Sequence, residues 1–85
     1  MILHVVDVKH INDYRIWVSF NNGKSGIIDL KNELTGPIFE PLKEISLFKT
    51  IRIHPIMETV VWDNGADLAP EYLLELMEEL INTAG

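Results

Sequence analysis

Three carboxylates, Asp63, Asp67 and Glu71, recur at four-residue intervals around Asn64-Gly65, and no other stretch of the chain holds as much potential chemistry. Carboxylates and carbonyls gathered at a tight turn suit a hard cation such as calcium or magnesium. The spacing, however, is not that of the EF-hand loop, and a turn leading into a charged helix start accounts for all three acids without a metal. Asp67 is accordingly expected to bond backbone N–H groups at that helix start. His4, His10 and His54 share no ligand spacing and form no His-x-x-x-His helical pair, so zinc has little support. His4 and His54 can still meet on neighbouring strands, as a metal pair or as ordinary half-exposed strand histidines. Ser19, Ser25 and Ser46 lie outside any nucleophile-elbow pattern, and neither the dinucleotide fingerprint nor the P-loop string occurs. No catalytic, metal or cofactor residue is assigned, and an enzyme is unsupported. Tyr14, Arg15, Trp17, Lys24 and Arg52 are the makings of a basic-aromatic face for single-stranded nucleic acid, an idea opposed by the net charge of −6.

The elements that must position these residues are legible from pattern. Ile2 to Val8 reads as a first strand, interrupted by Lys9-His10 and by the Asn12-Asp13 turn signal. Tyr14 to Phe20 alternates, with Tyr14, Ile16, Val18 and Phe20 on one face and Arg15, Trp17 and Ser19 on the other. Asn22-Gly23 is expected to form a two-residue type I′ turn, pairing Phe20 with Ser25, Val18 with Ile27 and Trp17 with Ile28. That register makes the hairpin apolar on both sides, so its second face needs a cover: the C-terminal helix, the middle segment or a second subunit.

Asp29 to Leu34 suggests a short helical turn stopped at Thr35-Gly36-Pro37, and Pro41 to Phe48 a second one. Thr50 to His54 alternates, with Ile51 and Ile53 inward, and Pro55 stops it. Thr59 to Trp62 is β-branched and aromatic and reads as the next strand, closed by Asp63-Asn64-Gly65. Pro70 suits the first helical position and Glu71 the positive end of the helix dipole. Leu73, Leu76, Met77 and Leu80 then recur at helical spacing, with Glu71, Glu75, Glu78 and Glu79 mainly on the other side, which makes an amphipathic helix with an acidic outer face.

Eighty-five residues make a single domain, 1–85, able to bury about 60–65% of the unfolded chain's surface; a core this small would gain from homodimerisation. No apolar stretch approaches a membrane span, and MILHVVDV lacks the build of a signal peptide. The absence of cysteine fits a reducing compartment, so a cytoplasmic location is expected. Charge is segregated along the chain. Residues 1–52 carry all seven Lys and Arg against six acids, whereas residues 53–85 carry seven acids and neither Lys nor Arg. An acidic C-terminal third repels phosphate and favours a basic protein partner.

Taken together, Trp62-Asp63-Asn64-Gly65-Ala66-Asp67-Leu68-Ala69-Pro70-Glu71, the Tyr14-x-x-Trp17-x-x-Phe20-x-x-Gly23 hairpin, Ile28-Asp29-Leu30, Phe39-x-Pro41-Leu42 and Leu47-Phe48 resemble the small bacterial family catalogued as domain of unknown function 2442. The resemblance covers nearly the whole chain and implies an α+β domain with a mainly antiparallel sheet; no activity is established for the family, and it supplies no catalytic residues. It also implies two contexts. Some members carry a further helix-turn-helix domain, which a chain ending at Gly85 is expected to lack, and some are encoded beside a small protein in a toxin–antitoxin-like arrangement. Ala69 departs from the serine common in the family, at a cost of about 1 kcal/mol in helix capping unless Asp67 compensates.

The sequence therefore leads to an α+β fold: a three-strand meander, a short helical insertion, two more strands, and a C-terminal amphipathic helix packed on the sheet. The expected function is a noncatalytic protein-interaction or regulatory module, an antitoxin-like partner of a small basic protein. Its expected contacts are Trp17, Ile28, Trp62, Glu71, Glu75, Glu78 and Glu79. Asn22, Gly23, Asn64, Gly65, Asp67 and Pro70 are expected to be structural. Nucleic-acid binding by a dimer's sheet face is the alternative, and a small metal-dependent or hydrolytic enzyme the third reading.

Overall fold

Strict alternation over residues 15–20 sends Ile16, Val18 and Phe20 to one side, and the first half of the fold is built on that side. A computed structural model describes the backbone of residues 2–84 and the side chains of residues 2–78. Strands β1 (Val5–Asn12), β2 (Arg15–Phe20) and β3 (Ser25–Asp29) form an antiparallel meander in the order β1-β2-β3. Ile16, Val18 and Phe20 are buried. β1 runs further than the expected Ile2–Val8, because Lys9 pairs with Trp17 and His10 with Ile16 and neither breaks the ladder. The chain reverses only at Asp13, whose φ of 41° is one that Asp tolerates better than most residues.

The β2–β3 connection corrects the expected register. Its loop has three residues, Asn21-Asn22-Gly23: the Phe20 N–H donates to the Lys24 carbonyl at 2.9 Å and the Gly23 N–H to the Phe20 carbonyl at 3.2 Å. Among the loop residues only Gly23 has positive φ, 87°, so this is a type I turn closed by a left-handed glycine. Asn22 Oδ1 supports it by accepting the Lys24 N–H at 3.0 Å. The additional loop residue shifts the pairing by one, to Ile16 with Ile28 and Trp17 with Ile27. Such a shift exchanges the faces. Ile28, expected beside Trp17, is a core residue at 2% exposure, and Ile27 stands outside at 49%.

Between the sheets lie two 3-10 turns, Lys31–Glu33 and Glu40–Lys43, and a one-turn helix α1 (Ile45–Phe48). Leu30, Leu34, Leu42 and Phe48 plug this segment into the core face of the meander. There the Phe48 ring meets Tyr14 and His10 edge-on, at 5.3 and 5.6 Å between centroids.

A second antiparallel sheet follows, β4 (Arg52–Ile53), β5 (Val60–Val61) and β6 (Asp67–Leu68), in the order β4-β5-β6. The sequence reading had only two strands here. β6 exists because Asp63-Asn64-Gly65 repeats the first loop: the Gly65 N–H donates to Trp62 O at 3.0 Å, the Trp62 N–H to Ala66 O at 3.0 Å, and Gly65 has φ 88°. Asn64 Oδ1 accepts the Ala66 N–H at 3.1 Å. Asp67 consequently pairs opposite Val61 in a strand, away from the helix start where it was expected.

Helix α2 (Pro70–Ala84) begins at Pro70 as expected and buries Leu73 and Met77. The side chains of Glu79 and Leu80 lie outside the described residues. Both sheets, the insertion and α2 share one apolar cluster. Within it the Trp62 indole Nε1–H donates to the Phe48 carbonyl at 3.0 Å. Trp62→Phe keeps most of the ring and removes this donor, so unfolding by urea should show a loss of about 1–3 kcal/mol. Ala69→Ser puts a side-chain acceptor at a position that has none and should raise stability by about 1 kcal/mol in the same measurement.

Candidate functional site

The meander has two faces, and among the described residues only one is covered. Gly26 lies directly opposite Val18 and therefore shares its inward face. A Cβ on Gly26 would lie 2.8 Å from Met77 Sδ, which puts α2 against that same inward face at β3. The hydroxyl of Tyr72 donates to Glu33, and Lys24 Nζ lies 3.3 Å from Glu78 Oε2, so the helix is held from both sides of β3. Of the three covers considered for the second face, neither the helix nor the middle segment serves among the described residues.

That outer face is a grid set by the ladder. Lys9, Trp17 and Ile27 form its middle row, Asp7, Ser19 and Ser25 a row on one side, and Arg15 and Asp29 a row on the other. Trp17 is half-buried at the centre, with Lys9 Nζ 5.8 Å from its ring centroid, a cation–π distance. Ile27 stays half-exposed beside it, and Val6 and Ile11, at the two irregularities of β1, are exposed as well. The charges on the face cancel: Lys9 and Arg15 against Asp7 and Asp29, with Arg15 Nε 3.7 Å from Asp29 Oδ2.

The residues expected to contact a partner are divided by this arrangement. Trp17 lies on the outer face. Glu71, Glu75 and Glu78 are exposed on α2, beyond the opposite face of the sheet, so sheet and core separate them from Trp17. Glu79 lies outside the described side chains. Ile28 and Trp62, at 2% and 1% exposure, are core residues and have no surface to offer. Sequence reasoning missed Ile27, which the loop length would have revealed.

The three histidines and Asp63 are each engaged locally. His4 Nε2 lies 2.8 Å from Glu58 Oε2, His10 Nε2 donates to the Asp13 carbonyl at 2.8 Å, and His54 Nδ1 accepts the N–H groups of Ile56 and Met57 at 3.1 Å. Arg52 donates to the Asp63 carboxylate, and the Asp63 N–H reaches Thr50 Oγ1 at 3.0 Å. Among the described residues no group of three or more His, Asp or Glu could hold a metal ion. The cations of the basic-aromatic idea, Arg15, Lys24 and Arg52, each sit beside a carboxylate, and Tyr14 faces inward, donating to the Lys43 carbonyl. No helix among the described residues is long and apolar enough to cross a membrane.

The family model described as "Protein of unknown function (DUF2442)" matches residues 5–79. No curated protein and no solved structure shows a significant match.

The position of α2, which leaves Trp17 outside, is open to a direct check. Gly26→Ala should cost about 1–3 kcal/mol by overpacking against Met77. Adding Met77→Ala should cost less than the sum of the two single changes in urea unfolding, whereas strict additivity would place the helix elsewhere.

Proposed function

Because this chain belongs to the DUF2442 family, which carries no described activity, we propose its role from the surface it presents: a noncatalytic protein-interaction module. The outer face of the β1–β3 sheet is the docking site, with Trp17 as its central anchor and Ile27 beside it. The observation that carries this reading is the one-sided cover of the meander. Helix and insertion occupy the inward face, while a tryptophan–isoleucine row remains on the other. Tryptophan at the centre of a mixed polar and apolar patch is the side chain that most often dominates binding energy.

The partner is a small basic protein encoded alongside, as the toxin–antitoxin-like arrangement of similar genes suggests. The chain supports this with seven acids and no Lys or Arg beyond residue 52. The acids of α2 lie too far round the molecule to sit under Trp17, so their contribution is to steer and speed encounter. Nucleic acid is a poorer occupant, since the charges of the outer face cancel and Arg15 already lies beside Asp29.

The test is a tagged pull-down from the native host at near-physiological salt, followed by titration of the recovered protein. One stoichiometric small protein is expected. Trp17→Ala should weaken its binding by about 2 kcal/mol or more, roughly thirtyfold in Kd. The same change should cost the fold only about 1 kcal/mol, because Trp17 is half-buried on the sheet surface and outside the core. Glu71→Gln with Glu75→Gln should mainly slow association and flatten its salt dependence. Recovery of the chain alone would sink the reading and leave a second copy as the occupant of the outer face.

A further inference from the structure

The two Asn-Gly loops share one backbone design but differ in what holds the asparagine. In both, the asparagine Oδ1 accepts an N–H two residues on, at 3.0 Å in the first and 3.1 Å in the second. In both, the glycine N–H is bonded back to the aromatic residue that opens the loop. Asn64 is held at its other end too: its Nδ2 donates to the Ile38 carbonyl at 2.8 Å, and the side chain is half-buried. Asn22 is exposed, and its Nδ2 has no protein acceptor among the described residues.

An asparagine followed by glycine is the dipeptide most open to spontaneous deamidation, because no side chain shields the glycine nitrogen. We propose that Asn22 is a modification site of this kind and that Asn64 is protected. In the reaction the Gly23 backbone nitrogen attacks Asn22 Cγ. A Cγ–N bond forms as the Gly23 nitrogen gives its proton to solvent, the Cγ–Nδ2 bond breaks, and Nδ2 takes a proton from solvent and departs as ammonia. Water then opens the succinimide at either carbonyl, leaving aspartate or isoaspartate at position 22.

The leaving group decides between the two sites. Asn22 Nδ2 can take up its proton from solvent and depart, whereas Asn64 must first surrender its bond to Ile38 and rotate out of a half-buried setting. The products differ in consequence. Aspartate keeps an oxygen for the Lys24 N–H, so the loop survives with one more negative charge. Isoaspartate routes the main chain through the side chain and lengthens a loop whose three-residue count sets the β2–β3 register, loosening the hairpin that carries Trp17 and Ile27.

The experiment ages the intact folded protein at neutral pH and physiological temperature. Peptide mapping by mass spectrometry then reads conversion at each asparagine, and methyl transfer by an isoaspartyl carboxyl methyltransferase reports isoaspartate. Asn22 is expected to convert roughly tenfold faster than Asn64, a ratio equivalent to about 1.4 kcal/mol. In denaturant, where both loops are lost, the two rates should converge. Asn22→Asp should abolish most of the methyl acceptance seen early in ageing. Equal rates in the folded protein, faster loss at Asn64, or conversion at Asn22 only in denaturant would each overturn the proposal.

Discussion

The hydrogen bond from the Trp62 indole to the Phe48 carbonyl is the constraint on which the arrangement of the chain depends. Trp62 follows β5 and opens the Asp63-Asn64-Gly65 loop, while Phe48 ends α1, fourteen positions earlier. Their rings lie 5.9 Å apart, and Phe39 meets Trp62 edge-on at 6.3 Å. A single side chain thus fixes the second sheet against the insertion, and Phe48 carries the connection on to Tyr14 and His10 of the first. In a chain this short, with a core of modest size, one fully buried indole with its donor satisfied does work that larger domains spread over many residues.

The two glycine-closed loops show why local chemistry was easier to read than its consequences. Asn22-Gly23 and Asn64-Gly65 are plain turn signals, and both make turns. What decides the fold is the residue before each, Asn21 and Asp63, which joins the loop and makes it three residues long. Both residues are tied down from outside the loop. Asn21 accepts the His4 N–H at 2.9 Å and donates to the Ile2 carbonyl at 2.8 Å, and Asp63 is held by Thr50 and Arg52. These anchors come from residues distant in sequence, so the loop length, and with it the β2–β3 register, was not available from the dipeptide alone. The same ignorance concealed β6, since Asp67-Leu68 has little strand propensity and pairs only because the loop delivers it to Val60 and Val61.

The α+β class, the meander, the helical insertion and the helix beginning at Pro70 were legible because each rests on periodicity or on a fixed backbone preference. The candidate site was less so. Alternation put Trp17 with Arg15 and Ser19 on the face opposite Ile16, Val18 and Phe20, as the ladder has it, but did not say that this face would lack a cover from the described helix. Ile28 and Trp62 were misassigned for different reasons: Ile28 by one step of register, and Trp62 because an aromatic beside a polar turn gives no sign of the Phe48 carbonyl waiting to accept its N–H. Glu71 and Glu75 are exposed as expected, yet sequence could not say that the sheet would stand between them and Trp17.

That separation bears on how the protein can act. A surface that joined Trp17 to the acidic helix would favour a partner both apolar and basic at the point of contact. Here the outer face is electrically balanced, Lys9 and Arg15 against Asp7 and Asp29, while Glu71, Glu75 and Glu78 stand exposed on α2 beyond the other face. As the proposed docking site, a balanced patch around an aromatic anchor would discriminate by shape and by the fit of Trp17 and Ile27, because charges that already have partners contribute little further affinity. The excess acid acts at longer range and weakens as salt rises. Under the proposed interaction role, specificity and speed of encounter would reside in different parts of the molecule, with the β1–β3 sheet between them.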